Sequence, residues 1–442
     1  MDESARHIDE SAQPAKGYGP QWKNLWEKTG WWHSFELPDG RVLRGVNTLE
    51  ILRTRIGQFP IGDDLRGKRV LDIGCWDGWF SFEMERRGAE VVALDCWDNP
   101  RFHEMHSVYN SRVEFRQMDV MDVSPDTVGR FDIVLFLGVL YHLKHPLLAL
   151  EKVCSVATEL AAVDSYVLRD DFDLAAQPVL EFYETDEFEG QTDNWVAPNL
   201  SCLVAMCRTA GFARADFKKV LLYSASVSCH RRWEPENPRG PQAELVSAVH
   251  NTNAGINFDT RRDEYLTIGF KTSERSLTVA DVQPSIGGYG TRPIIVKNMG
   301  GDLWQANFKL PPGLDPGWHE VSVAVRRGPK HTARRIAVDI PIPACAPHIE
   351  GVLDGTTWAH DVLDLQSGRG LAIWCSGLPE NADRNNVQVL LNGLRCPVEF
   401  VAPPAEKRQI NVQAPETIHP GPAQVTLRIG ASSATPVQLS VR

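Results

Sequence analysis

Between residues 69 and 95 two short apolar runs flank a polar loop. Val70-Leu71-Asp72-Ile73 leads into Gly74-Cys75-Trp76-Asp77-Gly78, and Val91-Val92-Ala93-Leu94 closes on Asp95. Runs of this length bounded by glycine read as buried strands, and the loop between them as a turn into a helix. The pattern recurs at Val113 to Val120 and at Phe131 to Leu137, while Leu200 to Gly211 reads as a helix with glycine just past its end. Strand-like runs follow at Phe217 to Ser226 and Tyr265 to Phe270. Strands alternating with helices predict an α/β domain with a parallel, Rossmann-like sheet. Beyond Thr272 the pattern becomes short alternating runs separated by Pro and Gly turns, at 320–325, 388–391, 424–429 and 437–441. That spacing predicts all-β sandwiches.

The expected organisation is an N-terminal tail and aromatic lid over 1–62 and an α/β domain over 63–272, then β-sandwiches over 273–342 and 343–442. The lid reading rests on Trp22, Trp26, Trp31, Trp32, His33 and Phe35, with a turn at Pro38-Asp39-Gly40, and a hydrophobic strap packed on the domain's flank is an equal alternative. A second irregular stretch, 177–199, is aromatic and acidic and reads as a substrate wall.

Composition narrows the picture. A chain of 442 residues with 43% hydrophobic content is globular and too long for one core. It has no apolar run of membrane length, and its first residues are polar, so a cytoplasmic protein with no membrane association is expected. Nine cysteines without a C-x-x-C pair suggest neither a disulfide framework nor a zinc site, and no metal is expected. His103 and His106 read as exposed histidines, and Cys75 and Cys96 as small core residues beside the loop. Residues 1–272 hold 30 Lys and Arg against 42 Asp and Glu, a net of −12, and Asp170 to Asp193 carries nine acids and no cation. Such a surface disfavours a polyanion.

The loop decides the ligand. A dinucleotide site needs bare glycine amides at the helix start for its pyrophosphate. Here Trp76 stands at the middle glycine's place, and Asp72 and Asp77 add negative charge. A cationic nucleoside without phosphate fits better, with Asp95 accepting ribose hydroxyls. The Asp-Ile-Gly-Cys-x-x-Gly loop resembles the first motif of class I methyltransferases, which implies S-adenosyl-L-methionine as cofactor. The resemblance continues through Met118-Asp119-Val120, where Asp119 would take the adenine amino group, and through Leu137-Gly138 at the end of the fourth strand. It implies cofactor contacts from Asp72, Gly74, Cys75, Trp76, Gly78, Asp95, Cys96, Met118, Asp119, Val120, Leu137, Gly138 and Tyr141.

Residues 22–271 resemble the family that includes the tRNA wobble-uridine 5-oxyacetic acid methyltransferase. The match lies in Leu43-Arg44-Gly45-Val46, Gly138-Val139-Leu140-Tyr141-His142 and Pro198-Asn199. Pro38 and Glu264 stand where that enzyme holds a carboxylated cofactor with Lys and Arg, which favours plain methyl transfer. From Pro343 on, the chain resembles IPT/TIG immunoglobulin-like modules through Gln409 to Pro415 and His419-Pro420-Gly421.

Together these features imply a methyltransferase acting on an oxygen of a small molecule or sugar. Catalytic candidates are His142, Tyr141 and His33, and the sandwiches offer a route to a homo-oligomer. Two alternatives are a tRNA-modifying enzyme, which the acidic domain disfavours, and a non-catalytic scaffold, which the intact loop acids disfavour.

Overall fold

The computed structural model describes residues 29–168, 177–188, 190–221, 224–252 and 254–442. The chain divides into two compact units: one runs to Pro235 and takes in 288–292 and 311–313, and the other comprises the rest.

The first unit is built on seven strands: β1 (Arg69–Ile73), β2 (Glu90–Asp95), β3 (Glu114–Gln117), β4 (Phe131–Leu137), β5 (Ala157–Tyr166), β6 (Arg214–Leu221) and β7 (Ser224–His230). Their order across the sheet is β3-β2-β1-β4-β5-β7-β6. The first five are parallel, and β7 runs antiparallel to β5 and β6. This is the Rossmann-like α/β sheet expected from the alternation. Strand side chains point alternately to the two faces, and each face has its own core. Leu71, Ile73, Val134 and Phe136 pack on one side with helices Pro146–Val156 and Leu200–Thr209. Val70, Ala93, Ile133 and Leu135 pack on the other with helices Leu49–Ile56, Trp79–Arg86 and Pro100–Tyr109. Burial on both faces is why these strands read as unbroken apolar runs.

The expected strand over Phe217 to Ser226 is instead divided between β6 and β7, which pair as a hairpin. An apolar run alone cannot show where a chain reverses. Likewise Tyr265–Lys271 pairs with Glu244–His250 and Leu303–Lys309 in the second unit, because sheet membership is set by distant partners.

The aromatic stretch before β1 takes the second of its two expected places. In residues 29–47, Trp31 and Phe35 are buried beside Leu52, Phe82 and Phe102 on the helical flank, so this stretch is packed core rather than a cover. Trp22 and Trp26 lie outside the described residues. Clustered aromatics in a sequence look the same in either role.

The second unit is all β. One sheet runs through Glu244–His250, Tyr265–Lys271, Leu303–Lys309 and Ile295–Gly300, and another has His331–Val338, Gly317–Val325 and Val282–Ile286 as neighbours. Further on, a sheet of His348–Asp354, Gly370–Ser376, Lys407–Gln413 and Val398–Val401 shares one core with a six-stranded sheet. Ile373, Ile410 and Val412 of the first meet Val389, Leu427 and Leu439 of the second. No helix among the described residues is long and apolar enough to cross a membrane.

Candidate functional site

In a parallel sheet, ligands collect at the carboxyl ends of the strands, where the strand order reverses. Here the reversal falls between β1 and β4. The ends of β1, β2, β3 and β4 bring together Gly74, Asp95, Met118 and Gly138.

The loop after β1 is shaped by backbone. Gly74 has φ +76°, and a methyl group on it would sit 2.2 Å from Val139 Cγ2, so only glycine fits. Trp76 adopts φ 52°, a conformation rare for a bulky residue. Its amide donates to Asp95 Oδ2 at 2.9 Å, and the Trp97 amide donates to Asp95 Oδ1 at 3.0 Å. The Trp76 and Trp97 rings lie 5.1 Å apart. The Asp95 carboxylate thus holds both flanking turns, and each oxygen, with two lone pairs, keeps capacity for another donor.

The other two loop acids do not face solvent. Asp72 is buried, accepts from Ser81 Oγ at 2.6 Å, and burial pushes its carboxyl up to about 6. Asp77 is fully buried: one oxygen accepts the Trp32 and His33 amides at 3.0 Å each, and the other pairs with His33 Nδ1. The expectation that both acids repel a pyrophosphate is therefore corrected, since each is consumed internally. His33 is fastened to Asp77 and edge-on to Phe80, buried on the strap side of the loop. Cys75 is buried among Asp72, Asp95 and Asp77, and burial, more than these charges, raises its thiol pKa and keeps it protonated. Cys96 is exposed, contrary to the core reading, because it follows Asp95 out of β2. Its thiol is nonetheless raised, chiefly by partial burial.

After β3, the Met118 amide donates to the Asp95 carbonyl at 2.8 Å. Asp119 is exposed and caps the turn Val120–Asp122, accepting from the Met121 amide at 2.8 Å, while Val120 is buried in the core. After β4, Leu137 is buried, and the Gly138 amide donates to the Asp164 carbonyl at 2.8 Å. Asp164 is buried at the end of β5, accepts from Ser226 Oγ at 3.0 Å and lies 3.8 Å from Arg55 Nε. Burial raises its carboxyl.

Tyr141 and His142 follow in a short 3₁₀ turn, their rings 4.3 Å apart. The insertion expected at 177–199 reaches them. The Tyr141 carbonyl accepts the Trp195 amide at 2.8 Å, and Tyr183 and Phe188 are buried with Tyr166 beside Tyr141. His142 Nδ1 lies 3.1 Å from the Asp193 carbonyl and 3.7 Å from its carboxylate. A carbonyl only accepts, so Nδ1 carries the proton and neutral His142 presents Nε2 as an acceptor. Burial lowers this imidazole below its ordinary value, against the opposing pull of Asp193.

Of the expected positions, Gly74, Asp95, Met118 and Gly138 lie at the strand ends, Asp72 and Val120 are buried in the interior, Tyr141 and His142 follow the end of β4, and His33 is held on the strap. Sequence reading missed Asp164, Arg55, Val139 and the Asp77–His33 pair. Asp164 had a signal, as the one charge in Leu160 to Val167. The other three had none. Glu264, aligned with a cofactor-holding arginine, lies in the second unit and accepts from the Asp259 amide, so that comparison loses its footing. His103 and His106 go to separate partners, Asp98 and the Val113 carbonyl. Among the described residues, no group of three His, Cys, Asp or Glu could hold a metal. A cavity of about 900 Å³ opens elsewhere, lined by Glu36, Trp79, Phe82 and Tyr109; its charged rim groups Arg53 and Glu36, and Arg86 and Glu83, pair with each other.

A glycine turn at the switch point and an acid at the end of β2 suit a nucleoside cofactor. Residues 49–189 match the model of a family described as a methyltransferase domain. Over that stretch the chain is similar to a methyltransferase domain. The tRNA U34 carboxymethyltransferase of Pseudomonas aeruginosa is 29% identical over 179 residues, 38% of this chain and 52% of that protein. The enzyme of the same name from Desulforapulum autotrophicum is 26% identical over 155 residues, 34% and 46% of the two chains. The chain spans about half the length of the curated relatives it matches. Among solved structures, the N-terminal domain of EvdMO1 in the presence of SAH and D-fucose is 20% identical, covering 47% of this chain and 93% of that one, with a TM-score of 0.34. The Burkholderia thailandensis 1,6-didemethyltoxoflavin-N1-methyltransferase is 19% identical over 41% of this chain and 75% of its own, with a TM-score of 0.31. The tRNA-named relatives leave the expected exclusion of nucleic acid unsupported.

Proposed function

We propose that the protein transfers the methyl group of S-adenosylmethionine to a hydroxyl oxygen of a small molecule or sugar. The observation that carries this is His142, whose Nδ1 is committed to the Asp193 carbonyl while Nε2 stays an acceptor at the end of β4. A hydroxyl nucleophile needs such a base within hydrogen-bond reach. In this reading Asp95 takes the ribose hydroxyls and Asp119 the adenine amino group. Gly74, Gly78, Cys75, Trp76, Cys96, Met118, Val120, Leu137 and Gly138 shape the cofactor cleft, with Asp72 beneath the loop. When bound, the cofactor supplies an electrophilic methyl group on a sulfonium. The protein's share is alignment and exclusion of water, assigned to Tyr141 and the aromatic insertion. His33 serves the loop as a fastening. We place the division between the catalytic and all-β parts near Pro235, and assign immunoglobulin-like character and self-association to the latter.

A second reading, a tRNA acceptor, draws support from the names of the relatives. One experiment separates the two. S-adenosylhomocysteine release is measured with a panel of sugars, nucleotide sugars, polyols and phenols, and with bulk tRNA, at about 150 mM salt. The small-acceptor reading expects turnover with a member of the panel and none with tRNA. Methylation of tRNA that falls with salt by a log–log slope of several units replaces it with the second reading.

A further inference from the structure

In the sheet of His348–Asp354, Gly370–Ser376, Lys407–Gln413 and Val398–Val401, one face points into the core and the other outward. The burial of Lys407–Gln413 alternates strictly, with Arg408, Ile410 and Val412 inward. Gln409 and Asn411 therefore point outward. Register sets their neighbours: Trp374 pairs with Gln409 and Phe400 with Asn411. Trp374 is 37% exposed and Phe400 46%. Two strand spacings across and two residues along put these aromatic positions roughly 12 Å apart, with the two amides between them.

The amides are not idle polar groups. Gln409 Nε2 donates to Asn411 Oδ1 at 2.8 Å, which commits one donor and one acceptor to each other. The pair then presents the Gln409 carbonyl oxygen as an acceptor and the Asn411 amino group as a donor, side by side. Across from Trp374 on the other side stands Gly351, where an added methyl would meet nothing within 4 Å, so the indole borders open space. The middle of the face carries no charge. At its rim Lys407 and Glu350 pair with each other, and Glu399 accepts from Gln413. Exposed Trp358, held at φ 60°, sits two residues from His360, which bridges Leu353 on the same sheet.

We propose that this face binds a neutral oligosaccharide. Aromatic rings spaced along an open trough can stack on the C–H faces of successive sugar rings. A neighbouring amide acceptor and donor match the vicinal hydroxyls between them. The uncharged middle gives no purchase to a polyanion, and the amides divide the apolar area into separate rings rather than one patch. The inference stands apart from the methyl-transfer reading, because it is tested on binding without turnover.

The test is native electrophoresis of the full chain in gels containing dextran, laminarin, xyloglucan or galactomannan, with heparin and alginate as charged controls. At least one neutral polysaccharide retards the protein. Trp374→Ala and Phe400→Ala each weaken that binding by about tenfold or more, Trp374→Tyr retains most of it, and thermal unfolding is unchanged because both rings are exposed. Lack of retardation by every neutral polysaccharide overturns the proposal, as does retardation that survives Trp374→Ala. So does binding to heparin or alginate alone. Self-association abolished by Trp374→Ala overturns it as well, by making the face an interface between copies.

Discussion

At the glycine loop, geometry is held by the backbone: a positive φ at Gly74, a left-handed Trp76, the Trp76 and Trp97 amides on the Asp95 carboxylate, and the Trp32 and His33 amides of the strap on that of Asp77. Around Tyr141 and His142, rings pack against the insertion, the His142 imidazole bonds to the Asp193 carbonyl, and the Tyr141 carbonyl accepts the Trp195 amide. In the first region a side-chain change at Gly74 meets the backbone conformation directly, whereas in the second the contacts are between rings. Under the proposed function, a cofactor edge fixed by backbone beside an acceptor wall built of side chains would let the acceptor vary while the cofactor stays the same.

The sharpest way to break this comparison is to remove the buried acid that ties strap to loop. Asp77→Ala leaves His33 and two buried amides without their acceptor, and should cost about 4 kcal/mol in denaturant unfolding of the first unit. A loss below about 1 kcal/mol shows that the strap is not what holds the loop. Asp77→Asn, which keeps a carbonyl acceptor, should recover part of the loss.

Next is Gly74→Ala, which combines the clash with Val139 and an unfavourable φ, for about 3 kcal/mol together with loss of S-adenosylhomocysteine binding in calorimetry. Val139→Ala in the same chain relieves the contact but not the backbone conformation, so rescue should be partial. Full rescue indicates that only side-chain crowding was at stake, and removes the backbone half of the contrast.

On the acceptor side, His142→Ala should lower kcat by about 100-fold, or about 2.7 kcal/mol, and leave cofactor affinity unchanged. Burial holds the imidazole below its ordinary 6.5, so the base is ready at neutral pH and activity falls only as pH drops beneath that value. Asp193 pulls the other way, so Asp193→Asn should move this acid limb to still lower pH. An unmoved limb in that variant assigns the titration to another group, and full turnover of His142→Ala leaves His142 a purely structural role.

What could be read from the sequence follows the same division. Gly74, Gly78 and Asp95 were legible because a turn at the end of a strand restricts which residues fit. The acids were legible as acids but not in their orientation, so Asp77 was taken for loop charge when it is a buried link to His33, 44 positions away. The insertion's contact with His142 and the membership of Tyr265–Lys271 both depend on long-range pairing, which no local pattern carries. For Trp31 and Phe35 the sequence left cover and flank open, and burial beside Leu52 and Phe82 decides for the flank.

The smallest expected effect concerns Asp72, the one loop acid whose carboxyl is raised by burial. Folded, it titrates near 6 against an ordinary 3.8. A raised carboxyl favours its neutral form in the folded state, so this group's contribution to stability is full below about 3.8 and is lost as pH rises through about 6. The two-unit gap corresponds to an upper bound of about 3 kcal/mol at pH 8. Asp72→Asn keeps an oxygen to accept from Ser81 while removing the charge. It should therefore unfold about 1 to 2 kcal/mol later than the parent at pH 8 and level with it at pH 4. If the parent is the more stable of the two at pH 8, the ionised carboxylate is stabilised in place by its surroundings.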